Sequence, residues 1–232
     1  MIPLKDDIPT RSFPVVTVGL ILLNIVVFLY QSSLSPHREL EFALRFGLVP
    51  SVVTRLPEHA PRSVAPPLLS FVTSMFLHGS VIHLGGNMLF LWIFGNNVED
   101  SLGRARFPLF YLLCGLAAAV SQVAALPGSS QPMVGASGAI AGVLGAYFLL
   151  FPRARILTLV PFFFVYLVRL PAFVVLGMWF LFQVLYSAMS SGDSQGGVAW
   201  YAHIGGFLAG MVLLGLFLPR RRRGPPPTEA WI

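Results

Sequence analysis

Long runs without a charged residue dominate the chain, at positions 12 to 37, 63 to 98, 107 to 152, 170 to 192 and 194 to 219. A helix that crosses a hydrocarbon core needs about 20 apolar residues, so these runs predict membrane spans and not a globular core. Proline is tolerated in a first helical turn, and charges mark the interfaces, which allows each run to be trimmed. Six spans result: Phe13 to Tyr30, Val81 to Asn97, 107 to 126, 137 to 151, Pro171 to Ser190 and Trp200 to Leu218. The first is not a signal peptide, because its apolar run is too long and no small-residue cleavage site follows. Gly79-Ser80 separates the second span from a preceding loop or interfacial segment, and the turn-rich stretch Leu126 to Pro132 separates the third from the fourth. Ile156 to Val168 is apolar but only 13 residues long, too short for a span, and is expected to be an interfacial or partly inserted connector.

The connections carry further pattern. In the first, about 31 to 67, Leu40, Ala43, Leu44 and Gly47 recur at helical spacing beside Phe42 and Phe46, as in a segment half-submerged in a leaflet. The expected organisation is a single unit without internal repeats: an N-terminal cytoplasmic segment at 1–12, a six-span domain at 13–218 and a basic, proline-rich cytoplasmic tail at 219–232. The fold class expected is an all-α membrane protein.

Composition agrees, with 56% hydrophobic and 10% charged residues and a mean hydropathy of +0.77. The net charge of +6 would suggest nucleic acid in a soluble chain. Here its distribution reads instead as topology. With the N-terminus inside, the cytoplasmic set is Lys5, Arg11, Arg104, Arg106, Arg153, Arg155, Arg169 and Arg220 to Arg223, eleven in all, against Arg38, Arg45, Arg55 and Arg62 outside. Both termini are therefore expected in the cytoplasm, and no nucleic-acid partner is implied. A single cysteine, Cys114, excludes an internal disulfide and a cysteine-based metal site.

Polar residues inside a membrane are costly, so the few within the spans form the search space for function. His83 and Asn87 lie four apart, on one face of the second span. Ser137 opens the fourth span within Gly135-Ala136-Ser137-Gly138, and His203 follows Trp200-Tyr201 in the sixth. Asn24 and Gln122 stand alone and are read as interhelical hydrogen bonds. Spans 2, 4 and 6 run from outside to inside, so His83, Asn87, Ser137 and His203 all fall in outer halves. Fifteen residues at about 1.5 Å each give span 4 roughly 22 Å, short of a core of about 30 Å. Ser137 therefore starts below the outer surface, at the floor of a cavity toward which the preceding loop dips. Gly138 and Gly142 on span 4, with Gly206 and Gly210 on span 6, form small-xxx-small patterns that predict close approach of these two helices.

A serine hydroxyl needs a base to take its proton, and histidine with a pKa of about 6.5 suits that task. Ser137 and His203 supply such a pair. No acidic residue shares their depth, and Asp193 lies in a loop ten residues upstream, so a dyad is expected and not a triad. Asn87, His83 and the Ser137 backbone N–H at a helix start are candidate donors to an oxyanion. The roles are filled without metal or cofactor, and Glu99 and Asp100 lie at the wrong depth to complete a metal site with the histidines.

The motifs resemble those of the rhomboid family of intramembrane serine proteases: His78, an HxxxN at His83 and Asn87, a GxxxExxxG at Gly95, Glu99 and Gly103, a GxSG at Gly135 to Gly138, and an AHxxG at Ala202 to Gly206. The resemblance implies cleavage within or beside a transmembrane helix of a protein substrate in the bilayer, with Ser137 as nucleophile, His203 as general base, and His83 and Asn87 at the oxyanion. It also implies a structural role for Glu99, lateral packing of the first external loop in the membrane, and interfacial anchoring by Arg104 and Arg106. One departure is Ala141, where some members place a tyrosine against the catalytic histidine. The expected location is a prokaryotic plasma membrane with the site facing outward. The rival readings are a catalytically inactive rhomboid-like protein that binds membrane proteins, disfavoured because serine and histidine are present, and a six-span channel or transporter, disfavoured because the inner halves of the spans are largely apolar.

Overall fold

A computed structural model describes residues 1–54, 67–162, 164–189 and 198–219. The chain starts with strand β1 (Ile2–Lys5), followed by helices α1 (Val15–Ser32), α2 (Pro36–Phe46), α3 (Pro50–Thr54) and α4 (Pro67–Thr73), the last ending in a 3₁₀ turn, Ser74–Phe76. Helix α5 (Val81–Phe90) runs through a π-helical segment, Leu91–Gly95, into α6 (Asn96–Leu102). Then come α7 (Phe107–Ala125), α8 (Ser137–Leu150), strands β2 (Arg155–Phe162) and β3 (Phe164–Pro171), α9 (Ala172–Met189) and α10 (Trp200–Phe217). Asp193, Arg55, Arg62 and the tail from 220 fall outside the described residues.

This is a mostly helical, multi-pass membrane protein. Four helices, α1, α7, α9 and α10, are long and apolar enough to cross a bilayer. A fifth candidate combines Leu68–Phe76 with Val81–Leu102, two segments bent by 89° at Gly79-Ser80, and α8 is a shorter apolar helix. Ser80 makes the second half start where it does: its side chain accepts the His83 N–H and caps α5. Helix α1 turns polar residues inward and apolar ones outward, as lipid requires. On α1 the buried residues Thr17, Asn24, Phe28 and Gln31 form one stripe, while Val26 and Leu29 are exposed.

Two expectations are corrected. The chain is not all-α, because β1, β2 and β3 form an antiparallel sheet. The connector Ile156 to Val168 is its hairpin, with Ile156 opposite Leu170 and Thr158 opposite Val168, and β1 pairs along β2 with Ile2 opposite Leu159. The segment is too short to span as a helix, and strand pairing satisfies its backbone groups instead. The helix of the second span does not stop at Asn97 but continues to Leu102. Its polar end is buried by long-range partners: Glu99 accepts hydrogen bonds from the Val16 and Thr17 backbone N–H groups and the Thr17 hydroxyl, at 3.0, 2.7 and 2.7 Å. These are orphan donors of the first turn of α1, so Glu99 caps that helix from outside it. Gly103, at φ +86°, then ends α6 with its N–H on the Glu99 carbonyl.

The remaining ends are tied nearby. Arg104 donates to the Phe13 carbonyl and Arg106 to the Phe217 carbonyl at the end of α10. Asp6 accepts from Asn97 Nδ2 at 2.5 Å and from the Tyr147 hydroxyl at 2.7 Å. In the first connection α2 forms as its periodicity predicts, with Leu40 and Leu44 exposed and Phe42 against Tyr30 and Phe46.

Candidate active site

Helices α5, α8 and α10 begin at the same end of the bundle, because Ser137 opens α8, His203 lies in the first turn of α10, and the two side chains touch. His203 Nε2 is 2.8 Å from Ser137 Oγ. The contact rests on the glycines of α8 and α10. A methyl group added to Gly206 would collide with the Gly138 carbonyl, and one on Gly210 with that of Gly142. On α8, a methyl at Gly142 would strike Cys114 of α7, and one at Gly138 would come within 2.7 Å of Ala118. The three backbones therefore approach more closely than any side chain allows, as the small-residue patterns predict.

The loop before Ser137 is irregular backbone held by protein. Met133 and Leu48 exchange hydrogen bonds at 2.8 and 3.0 Å, and the Gly135 N–H donates to the Ser74 carbonyl at 2.8 Å. Gly135 sits at φ +130°, which favours glycine, and a Cβ there would lie 2.8 Å from the His83 ring. Its absence leaves room for His83 and Asn87 beside the start of α8. All four predicted polar residues line one cavity of about 710 Å³, together with Gln122 and Trp179. The Ser137 N–H is in the first helical turn, where no intrahelical carbonyl reaches it.

The two donor candidates on α5 are held differently. Gly79 N–H points at His83 Nδ1 across a long 3.5 Å contact, which makes Nδ1 the acceptor and Nε2 the N–H donor of that ring. Asn87 Nδ2 lies 2.9 Å from Nε2 of His78, a fully buried ring. One amide hydrogen of Asn87 is thereby taken and the other is left to the cavity. His78 is itself anchored through its backbone N–H, which donates to Gln31 Oε1 at 3.1 Å.

Of the two lone polar residues, Gln122 does link helices, since its Oε1 accepts the Ala202 N–H at the start of α10, 3.2 Å away. Asn24 does not. Its amide donates to the Leu20 carbonyl of its own helix, 2.7 Å away, the i−4 back-bond open to a short polar side chain.

Sequence reasoning missed the surroundings of His203. Gln183 Oε1 on α9 lies 2.7 Å from His203 Nδ1. The Trp179 ring lies 5.7 Å from the imidazole, tilted by 38°, and the Trp200 ring 6.2 Å away, nearly perpendicular. The scarcity rule applied to span 5 would have found Gln183, since Gln183 and Ser187 are its polar side chains inside the helix.

Comparison with known proteins places the chain in a family. The Rhomboid domain family matches residues 66–220. "Rhomboid protein 1, mitochondrial" of Saccharomyces cerevisiae is 35% identical over 158 residues, 66% of this chain and 42% of the yeast protein. "Rhomboid protease GluP" of Bacillus subtilis is 43% identical over 75 residues, 32% of this chain and 14% of that protein. "Rhomboid-like protein 11, chloroplastic" of Arabidopsis thaliana is 32% identical over 163 residues, 65% of this chain and 53% of the plant protein. The chain thus spans about half or less of the length of these relatives. A family match over most of the chain, on a helical membrane fold that brings the GxSG serine and the AHxxG histidine into contact, makes this chain a member of the rhomboid family.

Proposed function

We propose that the protein is an intramembrane serine endopeptidase that cleaves transmembrane segments of other membrane proteins. The observation that carries this reading is the 2.8 Å contact between Ser137 Oγ and His203 Nε2 at the floor of the cavity. Ser137 Oγ attacks the scissile carbonyl carbon while His203 Nε2 takes the hydroxyl proton. The tetrahedral oxyanion is met by the Ser137 backbone N–H, the free amide hydrogen of Asn87 and the Nε2–H of His83. The C–N bond then breaks, His203 returns its proton to the leaving amine, and a water activated by the same imidazole hydrolyses the acyl-enzyme. No cofactor or metal has a part in the scheme.

The reading includes six spans, counting α1, the α5–α6 helix, α7, α8, α9 and α10. The relation of α8 to a bilayer is that of a short helix of 14 residues, about 21 Å, with Ser137 at its submerged end. The excess of Lys and Arg at the end opposite the site supports a cytoplasmic base and a site opening outward. A prokaryotic plasma membrane as the location rests on the sequence, since the relatives compared are bacterial, mitochondrial and chloroplastic.

The test is reconstitution in liposomes with a single-span protein substrate. Wild type should cleave it, and Ser137→Ala should lower the rate by about 10⁴-fold or more. Cleavage undiminished in Ser137→Ala overturns the assignment, and a wild type that binds the substrate without cutting it supports the inactive, binding relative instead.

A further inference from the structure

We propose that Gln183 is a positioning residue for His203, holding the imidazole in the tautomer whose bare Nε2 faces Ser137. The inference rests on the reading of Ser137 and His203 as nucleophile and base, and it adds a third link to what the sequence presents as a dyad. Gln183 is 6% exposed on α9, and its carboxamide makes two hydrogen bonds. Nε2 donates to the Trp179 carbonyl at 3.0 Å, and Oε1 faces His203 Nδ1 at 2.7 Å.

The direction of every bond in the chain follows from its far end. A backbone carbonyl only accepts, so the amide nitrogen of Gln183 must face Trp179 and its oxygen must face the imidazole. An amide oxygen also only accepts, so His203 Nδ1 carries the hydrogen. In a neutral ring the other nitrogen is then bare, and it lies 2.8 Å from the Ser137 hydroxyl, which must donate to it. The relay runs from Ser137 to His203 to Gln183 to the α9 backbone, with one hydrogen on each link. Without Gln183 the ring is free to take the opposite tautomer, which presents N–H to the serine and has no lone pair with which to remove its proton.

Physical chemistry also accounts for an amide at this position. A carboxylate would do the same geometric work, but below the surface of a membrane its charge is costly. Among the described residues no Asp or Glu lines the cavity, and His83 on α5 is the other imidazole in its lining. The amide supplies the acceptor without the charge. Trp179, one helical turn before Gln183, adds its ring beside the imidazole, so a single turn of α9 both bonds and flanks His203.

The experiment uses the whole protein in detergent micelles with ¹⁵N-labelled histidine, the His203 signals being assigned by loss in His203→Gln. Wild type is expected to show His203 protonated on Nδ1 and bare on Nε2. Gln183→Met, close in volume but without the oxygen, is expected to lose that bias. In the same preparations, with a single-span substrate, Gln183→Met should lower kcat about ten- to thirty-fold with KM within about twofold, and Gln183→Glu, which keeps an oxygen acceptor, should recover most of the loss. A tautomer unchanged in Gln183→Met overturns the proposal. Equal losses in the Met and Glu variants, tracking a fall in thermal stability, overturn it too, because they mark a packing role. If wild type fails to cleave while the tautomer still depends on Gln183, the protease reading fails and the hold of Gln183 on His203 stands.

Discussion

Asn87 illustrates how much of this site is decided by single hydrogen atoms. Its amide nitrogen has two, and His78, itself buried and anchored to Gln31, takes one at 2.9 Å. The bond leaves the second hydrogen for the cavity that Asn87 and Ser137 both line, and the proposed reaction uses it on the tetrahedral oxygen. An oxyanion donor acts in the transition state and little in the ground state. Asn87→Ala should therefore lower kcat by about 10²-fold in the liposome assay while KM moves little, and an unchanged kcat would remove Asn87 from the reaction. The pairing of His83 and Asn87 was legible from their spacing of four. The part played by His78 was not, because it sits before the Gly79-Ser80 break, and only the 89° bend brings it back against α5. Gln183 stands out by the scarcity of polar residues on its helix, but its bond to His203 does not, because which way a residue on an apolar helix faces depends on the rotation of that helix against its neighbours.

At the scale of elements, the small-residue seams of α8 and α10 set the distance between serine and histidine. Alanine at 210 would place its methyl group against the Gly142 carbonyl, a backbone atom that cannot step aside, and overpacking of this kind costs about 1 to 3 kcal/mol. Gly210→Ala should lower the thermal midpoint in detergent and reduce cleavage, because the seam continues to Gly138, next to Ser137. Gly215→Ala on the same helix meets nothing within 4 Å and serves as the control, with both quantities near wild type. Equal behaviour of the two variants would show that the seam does not set the geometry of the site. The hairpin of β2 and β3 marks the limit of pattern reading at this scale. Its apolar run was visible, and its length excluded a span, but β1, the strand that completes the sheet, comes from the far N-terminus.

For the molecule as a whole, the end opposite the site is closed by acidic residues. Glu99 caps α1, Asp100 accepts from the Arg11 N–H and the Ser12 hydroxyl, Asp7 accepts the Arg155 N–H, and Asp6 joins Asn97 to Tyr147. Burial lifts the Asp6 carboxyl above its ordinary value, only partly offset by the hydrogen bond from the Tyr147 hydroxyl. The sign follows by linkage: a carboxyl whose folded-state pKa is raised binds its proton more tightly when folded, so its contribution to stability falls as pH rises from 3.8 through the raised value. Asp6→Asn keeps an oxygen acceptor for both partners and removes the buried charge. The variant should be more stable than wild type at neutral pH, with the difference shrinking as pH falls toward 4, read as thermal midpoints across that range. A difference that grows on acidification would mean that the ionised carboxylate is the stabilising form.

Sequence alone marked the apolar helices and the polar residues that meet at the cavity. Hydrocarbon thickness imposes a length on every crossing helix, and the cost of polar groups in lipid leaves so few of them that Ser137, His203, His83 and Asn87 stand out. It also determined which helices must approach, since glycine at a spacing of four is what a close backbone contact requires. Tertiary structure decided what depends on distant partners: the sheet built from both sides of the chain, the burial of Asn97 and Glu99 that carries α6 past the expected end of its span, and the bond from Gln183 to His203. Each of these is a polar group or strand edge whose satisfaction lies on another element, and a one-dimensional pattern records that such a group needs a partner without recording which one it finds.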